Sequence, residues 1–277
     1  MRNTFKSKVV LRKSARILPL LAALLMSGHA SAQDSGDQTS EQIVQTTIAA
    51  ADRLLQDRDY EVLSGRLTNP GLLGRTYLDW LGAKFMSGES AFVAYFYAIY
   101  LQDVASQLPP EQAENIRGTA LAALLYAIVV SDVDAQQCAD RSARADRATK
   151  FAITLSQSGL LELADPVRES AALIALAFEE RSWTLRQEID DTGFLCQNGM
   201  AAITAGLAAG NYDEREPVPG EIGRQIGVTP PEDFVYERLD PEIWLPVAQA
   251  RRENLPETIK ALARVDRIPT PEEATVR

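Results

Sequence analysis

The side chains able to do chemistry here are few, and imidazole is almost missing. The single histidine, His29, lies in an N-terminal stretch with the marks of an export leader. Past residue 32, Ser-His-Asp and Cys-His activation and every histidine-containing metal site are therefore excluded. Serine–lysine chemistry is excluded too: the remaining lysines are Lys84, Lys150 and Lys260, and none stands three residues after a serine. No glycine-rich phosphate loop occurs. Asp132-Val133-Asp134 opens like a calcium loop, but Gln137 holds its glycine position and Ala143 its closing glutamate position. The sequence predicts neither metal nor cofactor, and leaves carboxylates as the groups for any catalysis.

One carboxylate has a context. Gly88-Glu89-Ser90-Ala91-Phe92 resembles the Glu-Ser-x-Phe core of the lytic transglycosylases, lysozyme-like enzymes that cleave peptidoglycan with one glutamate. The resemblance spans five residues and implies Glu89 as the general acid. That family continues with an asparagine-proline step, a glycine-rich turn and a Gly-Leu-Met-Gln stretch, whereas Val93-Ala94-Tyr95-Phe96 runs into an apolar helix. Read from the residues alone, Ser87 or Ser90 caps that helix and Glu89 complements its dipole. The acidic pairs Glu179-Glu180, Asp190-Asp191 and Asp213-Glu214 point in different directions on a helix and read as solvated surface.

Binding candidates come from two other patterns. Arg141, Arg144, Arg147 and Lys150 recur every three residues beside Cys138 in an otherwise acidic chain. On a helix they would sweep half the circumference, as a docking surface for an acidic partner or as an ordinary mixed-charge face with Asp140 and Asp146. Phe92, Tyr95, Phe96, Tyr97 and Tyr100 could line a groove for sugars or an apolar ligand. Core packing is the simpler use of such a helix, and Tyr97, off the main stripe, is the aromatic expected to face a cavity.

Composition sets the compartment. Arg2, Lys6, Lys8, Arg12, Lys13 and Arg16 precede the apolar run Ile17 to Met26, and Ala30-Ser31-Ala32 has the form cleaved before Gln33. Cleavage leaves 22 basic against 38 acidic residues, a net charge of −16. Such a surface repels nucleic acid and anionic lipid. After cleavage no apolar run is long enough for a span, so no membrane insertion is expected; a periplasmic or secreted location is. Two cysteines in an exported chain predict a Cys138–Cys196 bridge, stabilising by about 4 kcal/mol through the loop it closes.

The elements that must position these groups are helical. Val44, Ile48, Ala51 and Leu55 set a helix near 40–57, with Thr39 and Gln42 as a capping box. Leu73, Tyr77, Leu81 and Phe85 set a second, ending at Gly88; an apolar helix follows at 90–107, and Pro110 opens another. A connection is expected at 132–136, then helices near 138–156, from Asp165-Pro166 to about 187, and near 194–209. Val167, Ala171, Ile174 and Phe178 are the expected inward stripe of the 165–187 helix. Residues 210–231, rich in glycine and proline, read as a long binding loop or tether; Thr229-Pro230 and Asp240-Pro241 open short helices, and no strand is predicted. The expected organisation is a leader 1–32, a flexible 33–39, a helical core 40–209, the loop 210–231, C-terminal helices over 232–266 packed on the core, and a disordered 267–277. The fold class is all-α, a single bundle of about seven to nine helices. The functional expectation is a non-catalytic exported protein that binds a protein or cell-envelope partner. A peptidoglycan-cleaving enzyme using Glu89 is the alternative.

Overall fold

A computed structural model describes residues 37–215 and 225–268. The chain divides into two compact units, 1–43 and 44–277. Of the first, residues 37–43 are described, as the opening of a helix; the second holds the bundle. The expected leader, most of the tail 33–39 and nearly all of 267–277 lie outside the described residues.

The all-α expectation holds, with eleven α-helices among the described residues rather than seven to nine. They are α1 (Asp37–Gln56), α2 (Tyr60–Thr68), α3 (Gly74–Ser87), α4 (Ala91–Ser106), α5 (Pro110–Asp134), α6 (Asp146–Gln157), α7 (Asp165–Gln187), α8 (Thr192–Leu195), α9 (Met200–Ala209), α10 (Pro241–Glu253) and α11 (Leu255–Ala263). Because α1 starts at Asp37, Thr39 lies inside it and cannot be the expected cap. Helix α2 was not expected. Its marks are Asp59, whose carboxylate accepts from the Val62 N–H, and the buried spacing Tyr60, Leu63 and Leu67.

Helix α5 is the axis of the bundle. Every residue from Ala120 to Ser131 is buried, and α4, α6, α7, α10 and α11 pack around it. By length and composition alone it could cross a membrane, but 72% of that apolar window is buried inside the protein. The expected connection at 132–136 is instead the end of α5 and a buried 3-10 turn, Ala135–Gln137. Two of the polar side chains here find partners indoors, Gln136 donating to the Asp132 carbonyl at 2.9 Å and Asp134 meeting an arginine, while the buried Gln137 Oε1 has none.

Two helices are shorter than their periodicity suggested. The expected 138–156 helix begins only at Asp146; before it, Arg141–Ala143 forms a 3-10 turn whose Asp140 carboxylate accepts from Ser142. The expected 194–209 helix is broken into α8 and α9 at Asn198, with φ +64°, and the extended Gly199. A Cβ on Gly199 would collide with the Asp140 carboxylate, which explains the glycine at the break. The expected loop 210–231 contains an antiparallel hairpin, β1 (Tyr212–Arg215) with β2 (Gln225–Val228), Tyr212 facing Val228. Four-residue strands of mixed polarity are too short to show alternation. Asp240-Pro241 opens α10 as expected, whereas Thr229-Pro230 opens no helix.

Candidate functional site

Two places in the bundle gather buried polar groups around a core or a cross-link. The first lies between α5 and α7. Glu179, Ser182 and Arg186 continue the buried stripe of Ala171 and Ala175 along α7, so a charged pair enters the core at apolar spacing. Arg186 pairs with Asp134 of α5, donates to Glu179 at 2.7 Å and to the Ser182 hydroxyl at 3.0 Å. Arg252 of α10 reaches the same Glu179 at 2.9 Å and the exposed Glu180 at 2.6 Å. Tyr126 donates to Ser182 at 2.9 Å, and its hydroxyl lies 3.2 Å from the Glu89 carbonyl. Burial pushes the Asp134 carboxyl up, while Arg186 opposes the rise. Burial likewise pushes the Tyr126 hydroxyl up to about 12.

Asp191 extends this region toward α2. It is 3% exposed, accepts from the Tyr60 hydroxyl and lies 3.4 Å from Arg58. Burial pushes its carboxyl up to about 6, Arg58 and the Tyr60 bond pull it down, and Asp134 and Glu89 add to the rise. Two of the three acidic pairs expected on the surface are therefore split. Glu179 and Asp191 are buried while their neighbours Glu180 and Asp190 face solvent; Asp213-Glu214 is exposed as expected. The Ala171, Ala175, Glu179, Ser182, Arg186 spacing was the available signal in the sequence. The expected inward stripe on α7 was Val167, Ala171, Ile174 and Phe178, but Ile174 is exposed and the buried line runs one position aside.

Glu89 heads α4, half-buried, in the field of Arg58 and Asp191. Ser90 is the capping position of α4, yet its hydroxyl makes no capping bond. Tyr97 fills the seam between α3 and α4, against Gly82 and 5.3 Å from the Phe85 ring. Glu89 and Tyr97 line neither of two clefts that open at the surface among the described residues. Among the described residues no group of three His, Cys, Asp or Glu could hold a metal ion.

The second place is the cross-linked end. Cys138 and Cys196 form the expected disulfide, joining the turn after α5 to the end of α8. Two of the spaced cations, Arg144 and Arg147, fasten the chain beside it, and the four form no stripe. Arg144 donates twice to the Cys138 carbonyl, at 2.9 and 2.8 Å. Arg147 donates to the Phe194 carbonyl at 3.0 Å and to Gln197 at 2.6 Å, and lies 4.2 Å over the Phe194 ring. Lys150 pairs with Asp146, and Arg141 is exposed. Asp140 and Ser142 cap α9 from a distance: Asp140 accepts from the Ala201 N–H at 2.8 Å and Ser142 from Met200 at 2.7 Å.

Compared with protein-family models, with curated proteins and with solved structures, the chain finds no match in any of the three. Its function must be argued from its own residues.

The two clefts differ in character. One, of about 690 Å³, opens between the α4–α5 turn and the start of α7 and is lined by Gln102, Ser106, Glu114, Arg117 and Glu162 among others. Arg117 there donates to the Gly159 carbonyl at 2.7 Å. The other, of about 250 Å³, lies against Cys196 and the first turn of α9, closed on the far side by Phe234, Val235 and Tyr236.

Proposed function

We propose that the chain works outside the cytoplasm, in the periplasm once residues 1–32 are removed, by binding a protein or cell-envelope component rather than by catalysis. The observation that carries this reading is the use made of the ionisable groups in the bundle. Asp134, Glu179, Arg186 and Arg252 are bonded to one another, and Asp191 is sealed against Tyr60 and Arg58. Groups held in this way fix a shape. A general acid must instead meet its substrate. The Cys138–Cys196 bond fits an oxidising compartment, where such bonds persist.

A tagged chain recovered from the envelope fraction tests both halves of the proposal. Its N-terminus should begin at Gln33, and a specific partner should co-purify in stoichiometric amount. A chain that keeps its leader in the cytosol would overturn this reading, and turnover of purified peptidoglycan that disappears in Glu89→Gln would replace it with the peptidoglycan-cleaving one.

A further inference from the structure

The cleft of about 250 Å³ beside the disulfide has apolar walls and an acidic rim. Ala201 and Ala202 of α9 form one wall, and the segment Phe234-Val235-Tyr236 forms the other. Phe234 and Tyr236 meet edge to face, with ring centroids 5.1 Å apart. Val235 is 76% exposed, an apolar side chain standing in solvent at the mouth of an apolar cleft. Segment 234–237 is not loose, since Ala139 donates to the Glu237 carbonyl at 3.1 Å and Cys138 bridges to Arg238. The cleft is preformed, so little ordering opposes a ligand.

Charge at this end is sorted by direction. Arg144, Arg147 and Arg238 turn inward onto main-chain carbonyls of Cys138, Phe194, Gln187 and Ile189. The carboxylates stay outside: Glu232, Asp233, Glu237 and Asp240 are all exposed, and Asp140 and Glu237 line the cleft itself. The bond from the Ser142 hydroxyl, followed by those from the Ala201 and Ser142 N–H groups, holds the Asp140 carboxyl below the usual range despite partial burial. Against these acids stand the exposed Arg141 and Lys150, and Lys150 is paired with Asp146.

We infer that this cleft receives a basic, apolar segment of a partner protein, one large apolar side chain entering between α9 and Phe234–Tyr236 while flanking Lys or Arg residues meet Glu232, Asp233 and Glu237. The inference rests on the binding role proposed above and gives it a surface and a chemistry. Burial of the apolar side chain supplies affinity, and the rim charges supply orientation and a dependence on salt. An acidic segment would meet the same carboxylates with repulsion.

The test is fluorescence anisotropy with the mature chain and a labelled Lys-Leu-Lys-Leu-Lys-Leu peptide, beside Glu-Leu and Lys-Ser hexapeptides, at low and high salt. Saturable binding is expected for the Lys-Leu peptide alone, weakening with salt. Glu232→Lys with Glu237→Lys should weaken it about tenfold or more, and Val235→Ser about threefold or more, with circular dichroism unchanged. Glu111→Lys with Glu114→Lys, at the far end of the 25-residue α5 and so about 35 Å away, should weaken it less than about twofold. Equal losses from the two charge-swapped pairs would mean that only total charge is sensed, and would overturn the inference. Equal binding of the Lys-Ser peptide, or no saturable binding at all, would overturn it as well. Parallel capture from an envelope extract separates the two proposals. A partner held equally by the wild type and the Glu232→Lys, Glu237→Lys variant leaves the binding role standing and removes the cleft; a partner lost with the variant supports the cleft; no partner for either counts against the binding role.

Discussion

The α5–α7 interior and the disulfide end use the same side chain in opposite ways. Inside, Arg186 faces Asp134 and Glu179, so charge is cancelled by charge where water is excluded. At the disulfide end, Arg144 and Arg147 face carbonyl oxygens and clamp turns that have no helical partner. The first arrangement places the centre of the bundle and fails badly if one member is lost. The second fastens the end of α8, whose Phe194 and Leu195 lie in the core, to α6 and shapes the turn after α5, and each fastening is modest.

The largest expected effect tests the interior. Arg186→Met strands the buried Asp134 carboxylate and leaves Glu179 to Arg252 alone, and should cost about 3–5 kcal/mol in urea unfolding; a loss below about 1 kcal/mol would show that the Asp134 carboxylate escapes to solvent. Replacing Cys138 and Cys196 together with alanine should cost about 4 kcal/mol by loop entropy alone, less where the reduced chain keeps structure. Hydrogen exchange locates that loss: faster exchange confined to α8 and α9 sharpens the contrast between the two regions, and a rise spread over α5 breaks it.

Acid dependence comes next. The Asp191 carboxyl is raised to about 6 by burial, so the native state holds a proton that the unfolded chain releases nearer 3.8. Its contribution is present in full below the unfolded value and is lost as pH rises through about 6, a change of up to about 3 kcal/mol. Asp191→Asn should remove that slope, read as the difference between variant and wild-type unfolding curves across pH 4 to 7. Parallel curves would mean that Arg58 keeps the carboxylate ionised throughout. The smallest effect belongs to the distant cap: Asp140→Ala should cost about 1 kcal/mol and loosen the first turn of α9 before anything else.

What the sequence disclosed, and what it hid, follows the same division. Helices whose apolar residues recur every three or four positions, such as Tyr77, Leu81 and Phe85 in α3, were legible because burial and period coincide. The disulfide was legible from the expected compartment and the count of two cysteines. Glu179 and Asp191 were not, since a buried carboxylate looks like a surface one until its arginine is known, and Arg252 and Arg58 arrive from other elements. The cation series Arg141 to Lys150 misled on geometry, because its first half is a 3-10 turn shaped by Asp140 and the disulfide, neither of which alters periodicity. Helix α9 was expected as the second half of a longer helix; what shortens it is the break at Asn198 and Gly199, where only a glycine leaves room for the Asp140 carboxylate from about sixty residues earlier in the chain.

That borrowed start has a consequence for the order of assembly. Helix α9 is ten residues long, too short to persist alone in water, and both groups that terminate its first turn are carried by residues made well before it. As the chain emerges amino end first, Asp140 and Ser142 are already present when Met200 appears, like a socket laid before its plug. A circular permutant opened between them would present the plug first, and its α9 would stay coil until the socket arrived.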